Sequence, residues 1–123
     1  MTTQQPNPRG FPHNRLLAYE HSYRFHAFVA QLKSAIPRGL ADLYDQLVRA
    51  SASVCLNIAE GASAFTPGLK ARSFRVALAS AGECDAILDL VELHVPEGLP
   101  DVEAARRDLR LSAALTVGLL RKL

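Results

Sequence analysis

Three polar residues on the predicted second and third helices are the first candidates for chemistry. Asn57 and Glu60 are three residues apart, and Glu83 follows on the next helix. Paired carboxylates can act as a general acid and base, but only in a pocket that holds a second reacting group. No nucleophile–base set lies near them, so three roles stay open: a buried polar network, exposed side chains, or catalysis. We expect the chain not to be an enzyme.

The histidines and cysteines do not have the spacing of a metal site. None of the four histidines belongs to an H-E-x-x-H motif, and the two cysteines, Cys55 and Cys84, are far apart in the sequence. The seven glycines are scattered, so no glycine-rich phosphate loop is predicted. We therefore expect no metal, no cofactor and two buried, reduced thiols.

Basic residues are the candidates for contact with nucleic acid. The chain has 14 basic and 12 acidic residues, so their distribution matters more than the net charge. Several begin the third and fourth helices, where the helix dipole disfavours a cation. Either a phosphate-bearing partner requires them there, or they are tolerated surface charges. The candidate set is Arg49, Lys70, Arg72, Arg75, Arg106, Arg107 and Arg110.

Four amphipathic segments must position these residues. Apolar residues recur at helical spacing, with proline and glycine between the segments, over residues 14–35, 40–62, 67–94 and 101–123. The predicted helix caps are Asn14 and Thr66, and Asp101 is predicted as either a cap or an acid of the first turn. No period-two alternation indicates a strand. The pattern predicts an all-α, antiparallel up-down-up-down four-helix bundle over residues 14–123, after a flexible tail of residues 1–13.

The second half of the second helix is rich in small residues. Residues 50–64 read ASASVCLNIAEGASA, and small side chains let a neighbouring helix approach closely. Ser53, Ala59 and Gly61 therefore predict either tight packing within the chain or a contact between subunits. The third helix has a broader apolar face than a single bundle needs, which favours self-association.

The composition argues against disordered and membrane classes. An apolar fraction of 49% and a charged fraction of 21% are typical of a globular domain. No apolar run approaches the roughly 18 residues of a membrane span, and the polar, proline-rich start is unlike a signal peptide. We expect a cytoplasmic protein without membrane contact.

The second and third helices resemble one known family. The second helix has that family's signature positions: Gln46, Arg49, Ala50, Ser53 and the run Asn57-Ile58-Ala59-Glu60-Gly61. The third helix has its pattern of a phenylalanine, small residues and a glutamate: Phe74, Ala77, Ser80 and Glu83. The family is that of the bacterial four-helix-bundle proteins encoded in 23S ribosomal RNA intervening sequences.

The resemblance implies a ring-shaped homo-oligomer, typically a homopentamer, in which Asn57, Glu60 and Glu83 are structural polar residues. A related branch provides the accessory protein of diversity-generating retroelements, which binds nucleic acid and a reverse transcriptase. We therefore expect a non-catalytic, oligomeric module that binds RNA or DNA through basic surfaces, with a reverse transcriptase as a candidate partner. The alternative is a protein–protein scaffold without nucleic-acid binding. Of the basic set, the family signature covers Arg49 alone.

Overall fold

The computed structural model describes residues 10–123, in which every regular element is helical. Four long helices follow one another: α1, Leu17–Gln31; α2, Ala41–Ser63; α3, Pro67–Glu92; and α4, Val102–Arg121. Short 3-10 turns flank α1: Pro12–Arg15, Lys33–Ala35 and Arg38–Leu40. The prediction of an all-α fold with four helices is confirmed. Within these residues, no helix combines the length and the apolar composition needed to cross a lipid bilayer.

Two of the predicted caps stand at helix starts, but only one of them makes a cap bond. The Oγ1 of Thr66 accepts a hydrogen bond of 3.1 Å from the amide of Leu69, and Pro67 takes the first position of α3. Asp101 precedes α4 in the left-handed conformation, with a φ of 60°, and its side chain makes no cap bond. The cap positions predicted at Thr66 and Asp101 are therefore confirmed, and only Thr66 adds a side-chain bond.

The start of the described chain differs from the predicted tail and first helix. Asn14 does not cap α1, because its Oδ1 accepts a hydrogen bond of 3.2 Å from the amide of Phe11, and α1 begins later, at Leu17. The turn Pro12–Arg15 contacts α2. Residues 1–9 of the predicted tail lie outside the described residues. The boundary predicted at Asn14 therefore falls inside a turn that packs on the fold.

Each long helix packs against two others around a shared core: α1 and α3 each contact both α2 and α4. The Tyr44 hydroxyl, near the start of α2, donates to the carbonyl of Val29, near the end of α1. The Ser112 hydroxyl on α4 donates to the carbonyl of Ala18, at the start of α1. All four helices contribute large buried residues to the core: Phe25, Val29, Leu47, Val54, Ile58, Leu88, Val91 and Leu109.

The contact between α2 and α3 is the most extensive in the fold. Gly61 of α2 is buried against the ring of Phe74, and a Cβ atom at Gly61 would lie 2.5 Å from Cε1 of that ring. Phe74 is itself buried, so its ring has little room to move away. Only glycine fits at this position, and tight packing within the chain explains Gly61.

Both cysteines are free thiols buried in the core, as predicted, with Cys55 on α2 and Cys84 on α3. Burial raises the pKa of Cys55, and it raises the pKa of Cys84 to about 12. Both side chains are therefore protonated near neutral pH and act as small apolar residues.

Replacing Gly61 by alanine tests the close approach of α2 and α3. Alanine normally stabilises a helix interior by about 0.5–1 kcal/mol relative to glycine. At this position its methyl group would overlap a buried ring, at a cost of roughly 1–3 kcal/mol. We expect Gly61→Ala to lower the free energy of unfolding in urea denaturation. The control is Gly118→Ala, whose methyl group would meet nothing within 4 Å and should be stabilising. Equal gains from the two substitutions would contradict the close approach.

Candidate functional site

The polar residues that the sequence singled out on α2 and α3 line one outward groove, which we call the α2–α3 seam. The lining residues are Gln46, Arg49, Ser53, Asn57 and Glu60 from α2 and Ser73, Val76, Ser80 and Glu83 from α3. On each helix they recur every three or four residues, which places them on one side of that helix. The spacing therefore places Asn57, Glu60 and Glu83 along a single groove, at different positions along its length.

A chain of hydrogen bonds occupies the middle of the seam. The hydroxyls of Ser53 and Ser80 are 2.8 Å apart and link the two helices. The side-chain amide of Asn57 donates to the carbonyl of Ser53 at 2.9 Å and to its hydroxyl at 3.1 Å. Ser80 is buried and Ser53 is half-buried, so each hydroxyl hydrogen-bonds the other in place of water. The bond between Ser53 and Ser80 thus links α2 to α3, and Asn57 extends the network within α2.

Glu60 lies at the end of the seam where α2 meets α3. Its Oε1 accepts a hydrogen bond of 3.4 Å from the hydroxyl of Ser73. Arg72, Ala59 and the ring of Phe65 line the same cavity, which has a volume of about 740 Å³. Glu60 therefore lies near the start of α3 rather than beside Glu83. Ala59 is half-buried at the edge of this cavity, and Phe65 is 97% exposed.

Arg49 and Glu83 line the other end of the seam, together with Gln46. Both charged side chains are exposed. In the part of the chain that the structure describes, neither takes part in an ion pair. The two opposite charges line one small depression, so the net charge around it is close to zero.

Hydrogen bonds within the seam join Ser53 to Ser80 and Asn57, and Ser73 to Glu60. The two histidines of α1 are engaged elsewhere: His21 Nδ1 lies 2.7 Å from Asp108 Oδ1, and His26 Nδ1 lies 2.6 Å from Ser51 Oγ. Among residues 10–123, no three His, Cys, Asp or Glu side chains are grouped to hold a metal ion. Of the three roles open for Asn57, the geometry favours the polar network.

Arg106 lies at the centre of an ion-pair cluster between α4 and α3. Its side chain is 11% exposed, and its guanidinium contacts Asp85 at 2.5 Å, Asp89 at 3.0 Å and Glu92 at 2.5 Å. Burial lowers the pKa of Arg106, but the hydrogen bonds to Glu92 and Asp85 outweigh it and hold the pKa above its ordinary value. The guanidinium neutralises acidic residues of α3, so we remove Arg106 from the nucleic-acid candidates.

Lys70 also has a partner within the fold. Its Nζ donates to the carbonyls of Gly61 at 3.2 Å and Ala62 at 3.0 Å, in the last turn of α2. These carbonyls have no partner inside the helix, and the negative end of the helix dipole favours a cation there. Lys70 thus closes α2 and is half-buried, which makes it a weaker candidate for phosphate than the exposed arginines.

The other predicted basic residues are exposed and, within residues 10–123, take part in no ion pair: Arg49, Arg72, Arg75, Arg107 and Arg110. Arg75 shares a surface depression with Arg121, between the start of α3 and the end of α4. Arg110 precedes Arg121 by three helical turns and therefore lies on the same side of α4. We call Arg75, Arg110 and Arg121 the α3–α4 arginine face. Arg121 is not among the residues predicted from the sequence, because its closeness to Arg75 depends on how α3 and α4 align.

A double-mutant cycle tests the serine link of the seam. Ser53→Ala leaves Ser80 and Asn57 each short of a partner, and Ser80→Ala likewise leaves Ser53 short, so each should cost about 1 kcal/mol in urea denaturation. The double variant should lose less than the sum, because both hydroxyls leave together. Ser63→Ala, at an exposed position near the end of α2, is the control. Additive losses would show that the two hydroxyls do not interact.

Comparison with known proteins identifies the family of this chain. A comparison with curated proteins finds no match for this chain. The model of the family described as 23S rRNA-intervening sequence protein matches residues 14–94, about two-thirds of the chain. The match includes α1, α2, α3 and every residue of the α2–α3 seam. The chain therefore belongs to the 23S rRNA-intervening sequence protein family.

Proposed function

We propose that this chain is a non-catalytic, self-associating module that binds the phosphate backbone of RNA or DNA with its α3–α4 arginine face. The observation that carries the proposal is the position of Arg75 and Arg121 beside one depression, where both are exposed. Arg110 extends the face by about 16 Å along α4. Arginines without an intramolecular partner are the side chains that neutralise phosphates and release counterions.

The proposal includes an antiparallel, up-down-up-down arrangement of the four helices. The order of contacts supports it: Ser73, early in α3, bonds Glu60, late in α2. Ser112 in α4 bonds Ala18, at the start of α1. In this arrangement, the end where α2 meets α3 also holds the end of α4. That end has a surplus of positive charge, contributed by Arg15, Lys70, Arg72, Arg75, Arg121 and Lys122.

Self-association is supported by apolar side chains that stay exposed on α3. Leu69, Val76 and Leu90 are about half exposed, and Leu93 is 76% exposed. Large apolar side chains in such a line favour contact with another protein surface. A ring of five copies is what the family resemblance implies, and we include it in the proposal. A cytoplasmic location is supported by the free thiols Cys55 and Cys84.

The second candidate function is a protein–protein scaffold without nucleic-acid binding. The exposed apolar side of α3 favours it, since that side suits a protein partner as well as a second copy. A reverse transcriptase that acts with this chain is the protein partner suggested by the family resemblance. The two functions differ in one respect that can be measured, namely salt-dependent affinity for nucleic acid.

Fluorescence anisotropy with a labelled single-stranded RNA of about 20 nucleotides tests the nucleic-acid proposal. We expect the wild-type affinity to fall steeply between roughly 50 and 200 mM salt. The double variant Arg75→Ala/Arg121→Ala should bind more weakly, and its log-affinity against log-salt slope should be about 1.4 units shallower, because two phosphate contacts are lost.

The matched control is Lys33→Ala/Arg38→Ala, which removes the same charge from the exposed connection between α1 and α2. It should leave the salt slope nearly unchanged. Equal losses in both variants would mean that net charge alone attracts the RNA. No binding at low salt, or binding that salt does not weaken, would sink the nucleic-acid proposal and favour the scaffold.

A further inference from the structure

The outer side of α3 carries a seven-residue repeat along nearly its whole length. One set of positions is Leu69, Val76, Glu83 and Leu90, and the other, three residues further on, is Arg72, Ala79, Ala86 and Leu93. All eight side chains are exposed. A repeat of this period is typical of a helix that packs lengthwise against another helix. Leu69, Arg72, Val76 and Glu83 also border the α2–α3 seam, but within residues 10–123 no helix buries any of the eight. We call these eight residues the α3 outer stripe.

We propose that the α3 outer stripe is the docking surface for the same stripe of a second copy of this chain, with the two α3 helices running in opposite directions. This inference deepens the self-association part of the proposed function and does not depend on nucleic-acid binding. In an antiparallel helix pair, the first set of a seven-residue repeat faces the second set of the partner helix. One register brings Val76 opposite Ala79 of the second copy and Leu69 opposite Ala86.

Charge complementarity selects this register. The stripe contains two charged residues, and the register places Glu83 opposite Arg72 of the second copy, twice per pair because of the two-fold symmetry. A shift by one repeat in one direction sets Arg72 against Val76, and a shift in the other sets it against Leu90. In a parallel, in-register pair, Arg72 would face Arg72 of the second copy and Glu83 would face Glu83. Only the register described above sets Arg72 against Glu83 across the pair, so it alone adds ion pairs between the two copies.

The sizes of the opposed side chains also fit. Each large residue in the middle of the stripe meets an alanine, so the two helices can approach closely along it. The same register brings Leu90 towards Phe65 of the second copy, in the turn before α3. Phe65 is 97% exposed in the single chain, and the pairing would give its ring an apolar neighbour.

The proposed contact is isologous, so it joins copies two at a time and cannot by itself close a ring of five. Native mass spectrometry therefore separates the two ideas. A mass of two copies supports the α3 pair and sinks the ring, and a mass of ten supports both, as two rings joined through α3. A mass of five that stripe substitutions leave unchanged overturns the α3 pair and leaves the ring standing.

A charge-swap experiment tests the register. Arg72→Glu alone and Glu83→Arg alone each set like charges opposite one another, so each should weaken the α3 pair about tenfold or more in sedimentation velocity. Mixing the two variants should restore pairing, because every contact then joins opposite charges. Different mass tags on the two chains would show that the restored species is mixed.

The control is Arg107→Glu, a charge reversal at an exposed position on α4, which should not change the association. Thermal melts followed by circular dichroism should show all variants folded, since the substituted side chains are exposed. The inference is overturned if the wild-type chain is monomeric at high concentration. It is also overturned if the single variants associate like the wild type, or if mixing them fails to restore the pair.

Discussion

The close approach of α2 and α3 is the constraint on which the rest of this structure depends. Gly61 admits the ring of Phe74, and the hydroxyls of Ser53 and Ser80 meet where larger side chains would separate the helices. With the two helices fixed at this distance, the polar side chains of each fall along one outward groove. Gly61, Ser53 and Ser80 therefore set the spacing of this helix–helix contact, and Asn57 adds hydrogen bonds to Ser53 within α2.

The charged residues divide into those that hold the fold together and those that remain for a partner. Arg106 of α4 gathers three carboxylates of α3 into a neutralised cluster, and Lys70 closes the last turn of α2. Because the charges of Arg106 and Lys70 are engaged within the fold, fewer basic residues remain for a partner than the sequence alone suggests. Arg75 and Arg121 line one depression, to which no Asp or Glu of residues 10–123 contributes. Arg75 lies three residues after Arg72 and four before Ala79, so the surface proposed for phosphate adjoins the one proposed for a second copy.

Much of the fold follows from the sequence, because proline, capping residues and apolar spacing act locally. The bounds of α2 are predicted within one residue, and Thr66 with Pro67 marks the start of α3. The start of α1 is not predicted, because Asn14 bonds Phe11 and stabilises a separate turn. The neighbours of Arg106 and Arg121 depend on the axial alignment of α3 and α4. The local sequence pattern does not encode that alignment. The exposed side of α3 likewise becomes visible only when the other helices are in place.

Native-state hydrogen exchange tests the central role of the α2–α3 contact most directly. If this contact is the most stable part of the fold, the backbone amides of residues 50–61 and 73–84 should exchange last, and only through global unfolding. Their exchange free energies should then match the free energy of unfolding from urea denaturation. Faster exchange in these two segments than in α1 and α4 would show that the fold is held together elsewhere, and would contradict the account.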